Sequence, residues 1–568
     1  MPTARSPVSG SLDLRDRARA FADLEREQFD VVVIGAGITG AGIARDAALR
    51  GLRVALVEAR DIASGTSSRS SKMIHGGLRY LAQGDVGLVR EAATERQVLR
   101  TIAPQLTRLS PFVMPGSRRS TATVRAGLVA FERLGRVPRA ERHRTLGAAE
   151  LLELEPTLTP EAFPTGVVYP EFLTSDARLT VANVRSAVAS GASVITHSPA
   201  TRIIVGSNGR AAGVEVAGAL PGEDLRAVLR TRVVVNAAGP WVDAVRELEE
   251  PAAAGRLALT KGIHVVVAHR RLPVRDTVIT LGQDKRPVFA VHSGPVTYLG
   301  TTDTFYADAD EWPRIDSSDV DYLFDAMERT FDGPRLGAED VLSMWAGVRP
   351  LIAPQDGTGD ASPSELSRRD ETWVGPAGVV SVAGGKLTAY RSMAERIVDD
   401  LVADLGTGAT RCRTADVALV GGDVDVDGLV ARLAGRPGTA NVDDARRLVE
   451  LWGSEAERIA ADGGGVDAEV RHAVLHEGAL RLEDYWIRRG ARAWFTDDPV
   501  GDDLEVAAAA MAELLGWSPV RLSDEVASCR RIHADSMRCL PDLGSTPLSE
   551  RVDDAVDEDR DQQPAATP

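Results

Sequence analysis

The sequence predicts a mixed α/β protein with a separate helical C-terminal domain, and three observations carry that expectation. A buried strand runs into a glycine turn and a helix at residues 29–50, short β runs continue to about residue 395, and from about residue 440 the apolar spacing turns helical. At 568 residues the chain is too long for one ordinary core and long enough for two or three domains. Its 44% hydrophobic and 26% charged residues are the balance of a globular fold, not of a disordered or membrane-spanning chain.

Taken in order, residues 1–28 are charged, lack strand periodicity and read as an N-terminal extension. Phe29–Ile34 is a buried strand, Ile38–Arg50 carries apolar residues at helical spacing, and Arg53–Val57 is a second strand ending at Glu58. This is a Rossmann-like βαβ unit. Ser193–Thr196, Gly213–Val216 and Val233–Asn236 suggest further strands, and Ile263–Val267 and Val296–Gly300 look extended, so the α/β body is expected over 29–395. Val442–Trp452, Val466–Glu477 and Leu504–Leu515 place helices in a C-terminal domain, expected over 396–545. The tail, 546–568, is rich in Asp, Glu, Gln and Pro and buries too little apolar surface to offset ordering entropy, so disorder is expected there. No fixed-period repeat is present.

A net charge of -16 argues against nucleic acid as a partner, because phosphate backbones require a positive footprint. The three cysteines, Cys412, Cys529 and Cys539, form no C-x-x-C pair and no secretory leader precedes Gln28, which sets the expectation of a reducing cytoplasm. No run approaches the roughly 20 apolar residues of a spanning helix, so any membrane contact is expected to be peripheral.

Gly35-Ala36-Gly37-Ile38-Thr39-Gly40 follows the first strand and opens the helix, which aims unpaired backbone N–H groups at a pyrophosphate. Glu58, at the end of the next strand, stands where an acid accepts hydrogen bonds from an unphosphorylated adenosine ribose. This motif does not separate NAD from FAD. Val233–Gly239 is a strand into a small-residue turn at Ala238 and Gly239, and Ser381–Thr388 sets Gly384 and Gly385 before a helix whose amides suit a reduced flavin ring. Together they favour an extended FAD.

Thr66-Ser67-Ser68-Arg69-Ser70-Ser71-Lys72-Met73-Ile74-His75-Gly76-Gly77-Leu78-Arg79-Tyr80 resembles the signature of the FAD-dependent glycerol-3-phosphate dehydrogenases of the aerobic, respiratory type. The resemblance continues through Asp176–Leu179, Lys261–His264, Gly300–Asp303, Gly347–Leu351, Arg369-Asp370 and Gly384–Thr388, and Glu477–Arg489 is similar to that family's helical cap domain. Met73 replaces the family's more usual Leu.

The resemblance implies a FAD-binding domain with a mixed-sheet substrate domain interleaved in sequence, a helical C-terminal domain and noncovalent FAD. It also implies oxidation of glycerol 3-phosphate to dihydroxyacetone phosphate and a membrane quinone as acceptor; a cytoplasmic location peripheral to the inner face of the cell membrane is expected. A homodimer is kept among the expected partners. Thr66, Ser67, Ser70, Ser71, Met73, His75, Gly76, Gly77, Leu387 and Thr388 join Gly35, Ala36, Gly37, Thr39, Gly40, Glu58, Ala238, Gly239 and Gly385 as expected cofactor contacts. Asp423–Gly428 superficially resembles the start of a calcium loop, but its twelfth position is Ala434, which supplies no carboxylate; an acidic linker and no metal are expected.

A phosphate monoester calls for fixed cations, and Arg79, Arg349, Arg369 and Lys386 are the candidates, with Tyr80 beside them. The catalytic candidates are His264, Arg349 and Lys386. His264 is expected to take the hydroxyl proton during hydride transfer, with a structural histidine as the alternative; Arg349 could instead stabilise the developing alkoxide. Eight arginines from Arg118 to Arg144 accompany an apolar face of Val124, Leu128 and Phe131, which reads either as a membrane-surface helix or as an amphipathic helix covering the core. The competing functions are an oxygen-reducing glycerol-3-phosphate oxidase, an amine or amino-acid oxidase, and a flavin-binding subunit without turnover.

Overall fold

The computed structural model describes residues 9–75, 86–135, 137–333, 335–353, 366, 369–436 and 438–544. Among these, one sheet of eight strands has at its centre Val380–Ala383, Arg226–Asn236, Gln28–Ile34, Val54–Val57 and Ser193–Ile195, all parallel. Val31, Val32 and Val33 are buried on both faces, as expected of a parallel sheet covered by helices. The helix Ile38–Leu49 lies against the helices Asp176–Ala189 and Tyr390–Leu405. Its small residues permit that approach: a Cβ on Gly42 would stand 2.9 Å from the Tyr390 ring.

A second, largely antiparallel sheet of ten strands runs from Thr304–Phe305 through Leu257–Ala268, Val296–Gly300, Pro287–Ser293, Thr277–Leu281, Arg108–Gly116 and Thr165–Leu173 to Met73–Ile74, with Val341–Ile352 also paired to Leu257–Ala268. One face packs Val278, Val288, Ala290 and Leu299 on Val320, Leu323 and Phe324 of the helix Ser317–Glu328. The chain crosses between the sheets repeatedly: residues 28–57, 193–236 and 371–383 build the first, and 73–173 and 257–352 the second. The two layers are therefore interleaved in sequence, and their junction is lined by chain crossings.

Residues 9–28 pack against the body. Leu12 and Leu14 are buried, and Asp16 caps a helix, Arg17–Arg26, that sets Phe21 and Leu24 into the core under the first sheet. The acidic run Asp423–Gly428 is a helix start rather than a linker, since Asp425 accepts from the Gly428 N–H and caps Val426–Leu433. The basic helix Arg118–Leu134 turns Leu128 and Phe131 inward, Phe131 packing on Val89 and Ala93, while Arg118, Arg119, Arg125, Arg133, Arg139, Arg142 and Arg144 stay exposed. Leu128 and Phe131 are thus buried, while Val124 is half-buried and lines a cavity; Arg136 lies outside the described residues. No helix among the described residues is long and apolar enough to cross a membrane. The tail beyond residue 544 lies outside the description.

The C-terminal helices form their own cores around Trp452 and around Trp486 and Met511. They are held to the first layer by buried ion pairs. Arg178 makes a bidentate pair with Glu477 at 2.7 and 2.6 Å, and Arg185 pairs with Glu455 at 2.5 Å. A π-helical turn, Asp484–Arg489, brings Arg488 and Arg489 together on Asp61, while Asp484 bonds Arg488 at 2.8 Å and His197 at 3.0 Å.

Neutralising one member should leave the buried Arg178 guanidinium without its counter-charge: Glu477→Gln is expected to cost roughly 3–5 kcal/mol in denaturant unfolding. Burial alone would raise Glu455 and Glu469, but Arg185 acting on the first and Arg447 and Arg492 on the second hold both down at about 2. A depressed carboxyl stabilises the fold fully above its unfolded value of 4.5 and loses that stabilisation as pH falls toward 2. The melting temperature, followed by tryptophan fluorescence, should therefore stay level from neutral pH down to about that unfolded carboxyl range and fall below it.

Candidate active site

The glycine turn is shaped by backbone proximity. Gly35 has φ +104°, and a Cβ there would lie 2.6 Å from the Ala237 carbonyl oxygen; at Gly40 it would lie 1.9 Å from that of Gly35. Gly37 caps the helix Ile38–Leu49 with no side-chain hydrogen bond, leaving its first N–H groups to a ligand and to Ser67, whose Oγ accepts from Ile38 at 2.9 Å. Glu58 is buried and accepts from Ala36 N–H at 2.7 Å and Arg60 N–H at 2.9 Å. Burial raises its pKa against those two bonds. Gly35, Gly37, Thr39, Glu58, Ala238 and Gly239 line one end of a cavity of about 1040 Å³. That space and a bare helix N-terminus fit the pyrophosphate and ribose of a dinucleotide.

At its other end the cavity is walled by both layers. Thr66 Oγ1 donates to the Val348 carbonyl at 2.5 Å, tying the signature segment to the second sheet. Ser70 bonds Asp176 through its N–H and hydroxyl, and Lys72 reaches the same carboxylate at 2.8 Å. Ser71 Oγ then lies 2.9 Å from His264 Nε2. His264 is 1% exposed and stacks on Trp345 at 4.6 Å between centroids. Burial first, then the Arg349 and Lys72 charges, hold its pKa well below the usual value, so the ring is neutral at working pH. Its Nδ1 has no partner among the described residues.

Arg349, on the strand paired to that of His264, donates to Asp303 Oδ1 at 3.1 Å and to Thr301 Oγ1 and the Thr302 carbonyl at 3.2 Å. Its guanidinium lies over Gly262, where a Cβ would be 2.0 Å from Nη2. Lys386 follows Gly384 and Gly385, both at positive φ, and lines the same cavity with Leu387 and Thr388. Met73, Ser70 and His75 line it too, and Thr388 donates to the His75 carbonyl at 3.4 Å.

Of the residues singled out in the sequence, His264, Arg349 and Lys386 are thus brought to one cavity. Arg369 is exposed and is not among the residues that line this cavity; a Cβ on the neighbouring Gly384 would come within 2.4 Å of its carbonyl oxygen. Gly76, Gly77, Arg79 and Tyr80 lie outside the described residues. The sequence reading omitted Arg69, Trp345 and Asp303. Arg69 is buried in the cavity wall with its guanidinium 4.1 Å from the Trp312 ring centroid, and its Nε and Nη2 have no partner among the described residues. Burial lowers its pKa to about 10. Its place inside the signature run was the available signal.

Residues 30–391 match the family described as FAD dependent oxidoreductase, and residues 412–522 match the C-terminal domain of alpha-glycerophosphate oxidase. The aerobic glycerol-3-phosphate dehydrogenase of Staphylococcus saprophyticus is 37% identical over 535 residues, 90% of this chain and 95% of that one. That of Staphylococcus aureus is 36% identical over 525 residues, 88% and 93% of the two chains. The crystal structure of glycerol-3-phosphate dehydrogenase from Bacillus halodurans, complexed with FAD, superposes with a TM-score of 0.77 at 32% identity, covering 93% of this chain and 99% of that one. The chain belongs to the FAD-dependent glycerol-3-phosphate dehydrogenase family. FAD is its cofactor.

Two substitutions separate the two ends of this dehydrogenase's cavity. Gly40→Ala sets a Cβ against backbone that cannot retreat, and the purified variant should lack the flavin absorbance bands. Gly262→Ala meets only the end of the flexible Arg349 side chain. It should keep its flavin and its melting temperature while the KM for substrate rises by roughly tenfold, the size of one displaced charge-assisted hydrogen bond.

Proposed function

We propose that the chain oxidises glycerol 3-phosphate to dihydroxyacetone phosphate and passes the electrons to a membrane quinone. The observation that carries the reading is the convergence of Arg349 and a neutral, buried His264 from two paired strands onto one cavity that also receives Lys386. Bound FAD supplies the hydride acceptor. Arg349, held by Asp303 and Thr301, and Lys386 present positive charge to the phosphate dianion and orient it. His264 accepts the hydroxyl proton, its ring fixed by Ser71 on one edge and by Trp345 beneath. The depressed pKa keeps it competent as a base at neutral pH, and the adjacent Arg349 favours the alkoxide as the proton leaves.

The exposed arginines of residues 118–144 supply the membrane-facing charge in this reading. Because Leu128 and Phe131 are used internally, attachment is electrostatic, to anionic lipid on the inner face of the cell membrane.

Glycerol 3-phosphate, and not free glycerol, should bleach the flavin bands anaerobically; a flavin that neither compound bleaches would reject the assignment. His264→Gln should slow bleaching by roughly 10²–10⁴-fold without loss of flavin. In the native protein the bleaching rate at saturating glycerol 3-phosphate should show no fall near pH 6.5, since His264 protonates only well below that value. Reoxidation by a quinone with little hydrogen peroxide formed would separate the dehydrogenase from the oxidase.

A further inference from the structure

We infer that Lys72 is a positioning residue for His264, and that the C-terminal domain takes part in the reaction by closing an aromatic box around the Lys72 ammonium with Trp494 and Phe495; the inference rests on the reading of His264 as the base. The chemistry proposed above has no task for Lys72, yet it is one of four lysines in a chain that otherwise uses arginine, and it is 6% exposed. Its ammonium lies 5.3 Å from the ring centroid of Trp345, 5.1 Å from that of Trp494 and 5.8 Å from that of Phe495. Two of its hydrogen bonds go to the Ser68 carbonyl and the Asp176 carboxylate, each at 2.8 Å, and the remaining charge is met by the rings. A compact ammonium fits such a box where a planar guanidinium would not.

The box joins two parts of the chain. Trp345 belongs to the second sheet, whereas Trp494 and Phe495 follow the π-helical turn Asp484–Arg489 and lie in the part that matches the C-terminal domain. Arg492 fixes their turn to the C-terminal helices, donating to Glu469 at 3.1 Å and to the Tyr485 hydroxyl at 3.2 Å. Three connections then run from the box to the base. Lys72 has φ +56°, which an L-residue adopts only where its surroundings impose it; the bond to Asp176 does so, and the residue before it is Ser71, 2.9 Å from His264 Nε2. Phe495 meets Tyr298 edge-on at 6.0 Å between centroids, and the Tyr298 hydroxyl donates to the Ser71 carbonyl at 3.1 Å. Trp494 lies 5.1 Å from Trp345, the ring on which His264 stacks.

Stability alone does not account for a charge in this place. An apolar side chain of the same volume, with a neutral partner, holds a core at least as well as a buried ion pair. What the ammonium adds is a fixed cation near the imidazole. The charged or titratable groups around His264 are Arg349 from one adjacent strand, the Tyr298 phenol from the other and Lys72 from the signature segment, with Asp303 bonded to Arg349 and Asp176 to Lys72. Burial pushes the Tyr298 phenol up, so it stays uncharged. After burial and Arg349, Lys72 is the third influence that keeps the imidazole neutral.

The test uses the FAD-loaded protein and three variants: Trp494→Leu, Phe495→Leu, and the double substitution Lys72→Met with Asp176→Asn, which keeps the volume and leaves no buried charge unpaired. Anaerobic stopped-flow with glycerol 3-phosphate reads the limiting bleaching rate, its half-saturating concentration and its pH dependence. In all three variants the limiting rate should fall roughly tenfold while the half-saturating concentration changes less than about twofold. Trp494→Phe, which keeps a ring, should recover most of the loss. In the double variant the fall of the limiting rate on acidification should begin at a higher pH than in the native protein, because a positive charge near the imidazole is gone. Trp452→Phe, in the other core of the C-terminal domain, is the control: it should lower the melting temperature and leave bleaching native. Equal slowing in that control, or native rates and a native pH profile in the box variants, overturns the inference and makes the box packing alone. Where the other substitutions prevent folding, Phe495→Leu decides, since that position is only half-buried. A His264→Gln protein that bleaches at the native rate rejects the base reading, and this inference with it, whatever the box variants do.

Discussion

The buried carboxylate of Asp176 sets the reference for the whole site. Its two oxygens take the Ser70 N–H at 2.9 Å, the Ser70 hydroxyl at 2.7 Å and the Lys72 ammonium at 2.8 Å, which fixes the path of the signature segment and delivers Ser71 to His264. An ion pair so deep carries a heavy desolvation cost, and only the additional hydrogen bonds make it tenable. The same helix then serves two other walls. Arg178 and Arg185 grip Glu477 and Glu455 of the C-terminal domain, and Asn183 donates to the Tyr390 hydroxyl at 2.9 Å, holding the helix that follows Lys386. One element therefore positions the signature segment, the helical domain and the Lys386 turn relative to one another.

That arrangement also reconciles an acidic chain with an anionic substrate. The net charge is -16, yet Glu477, Glu469 and Asp61 are consumed by arginines in the interior. Neutralised in this way, they cast little field on the cavity, where Arg349, Lys72 and Arg69 stand near His264 or line the same space. The ring of His264 answers by remaining uncharged, stacked on Trp345; in the proposed reading that leaves it free to take a proton in a cationic pocket.

How much of this could be read from sequence follows from burial pattern. Phe29–Ile34 and Val54–Val57 are covered on both faces and leave continuous apolar runs, and the helices Val442–Trp452 and Gly465–Glu477 keep a clear period, so these elements were legible within a residue or two. Much of the second sheet was not. Arg108–Gly116 carries Pro111 and Pro115, and Thr277–Leu281 and Pro287–Ser293 mix buried and exposed positions without strict alternation. The helix Arg17–Arg26 escaped notice because its apolar contribution is only Phe21 and Leu24 among many charges. At the site, motif resemblance singled out His264, Arg349 and Lys386, which line one cavity, and Arg369, which is exposed. Trp345 carries no local signal, since it matters only through cross-strand register with His264, whereas Asp303 stood inside the Gly300–Asp303 motif and became a site residue only through its bond from Arg349.

Register also explains three glycines that no turn requires. Gly262 and Gly347 are directly paired, and His264 is paired with both Trp345 and Gly300, so all five positions share one face of the second sheet. A Cβ on Gly262 would strike Arg349, one on Gly300 would strike His264, and one on Gly347 would lie 2.8 Å from the Arg69 carbonyl oxygen. The bare backbone at these positions lets the guanidinium and the imidazole lie low on the sheet, and lets the signature segment close against it. Strand backbone moves less than a loop would, so the spacing between the Arg349 guanidinium and the His264 imidazole is set by the sheet itself. In the proposed reading, selection for a phosphorylated secondary alcohol is then a property of rigid register, with the mobile chemistry confined to what binds above it.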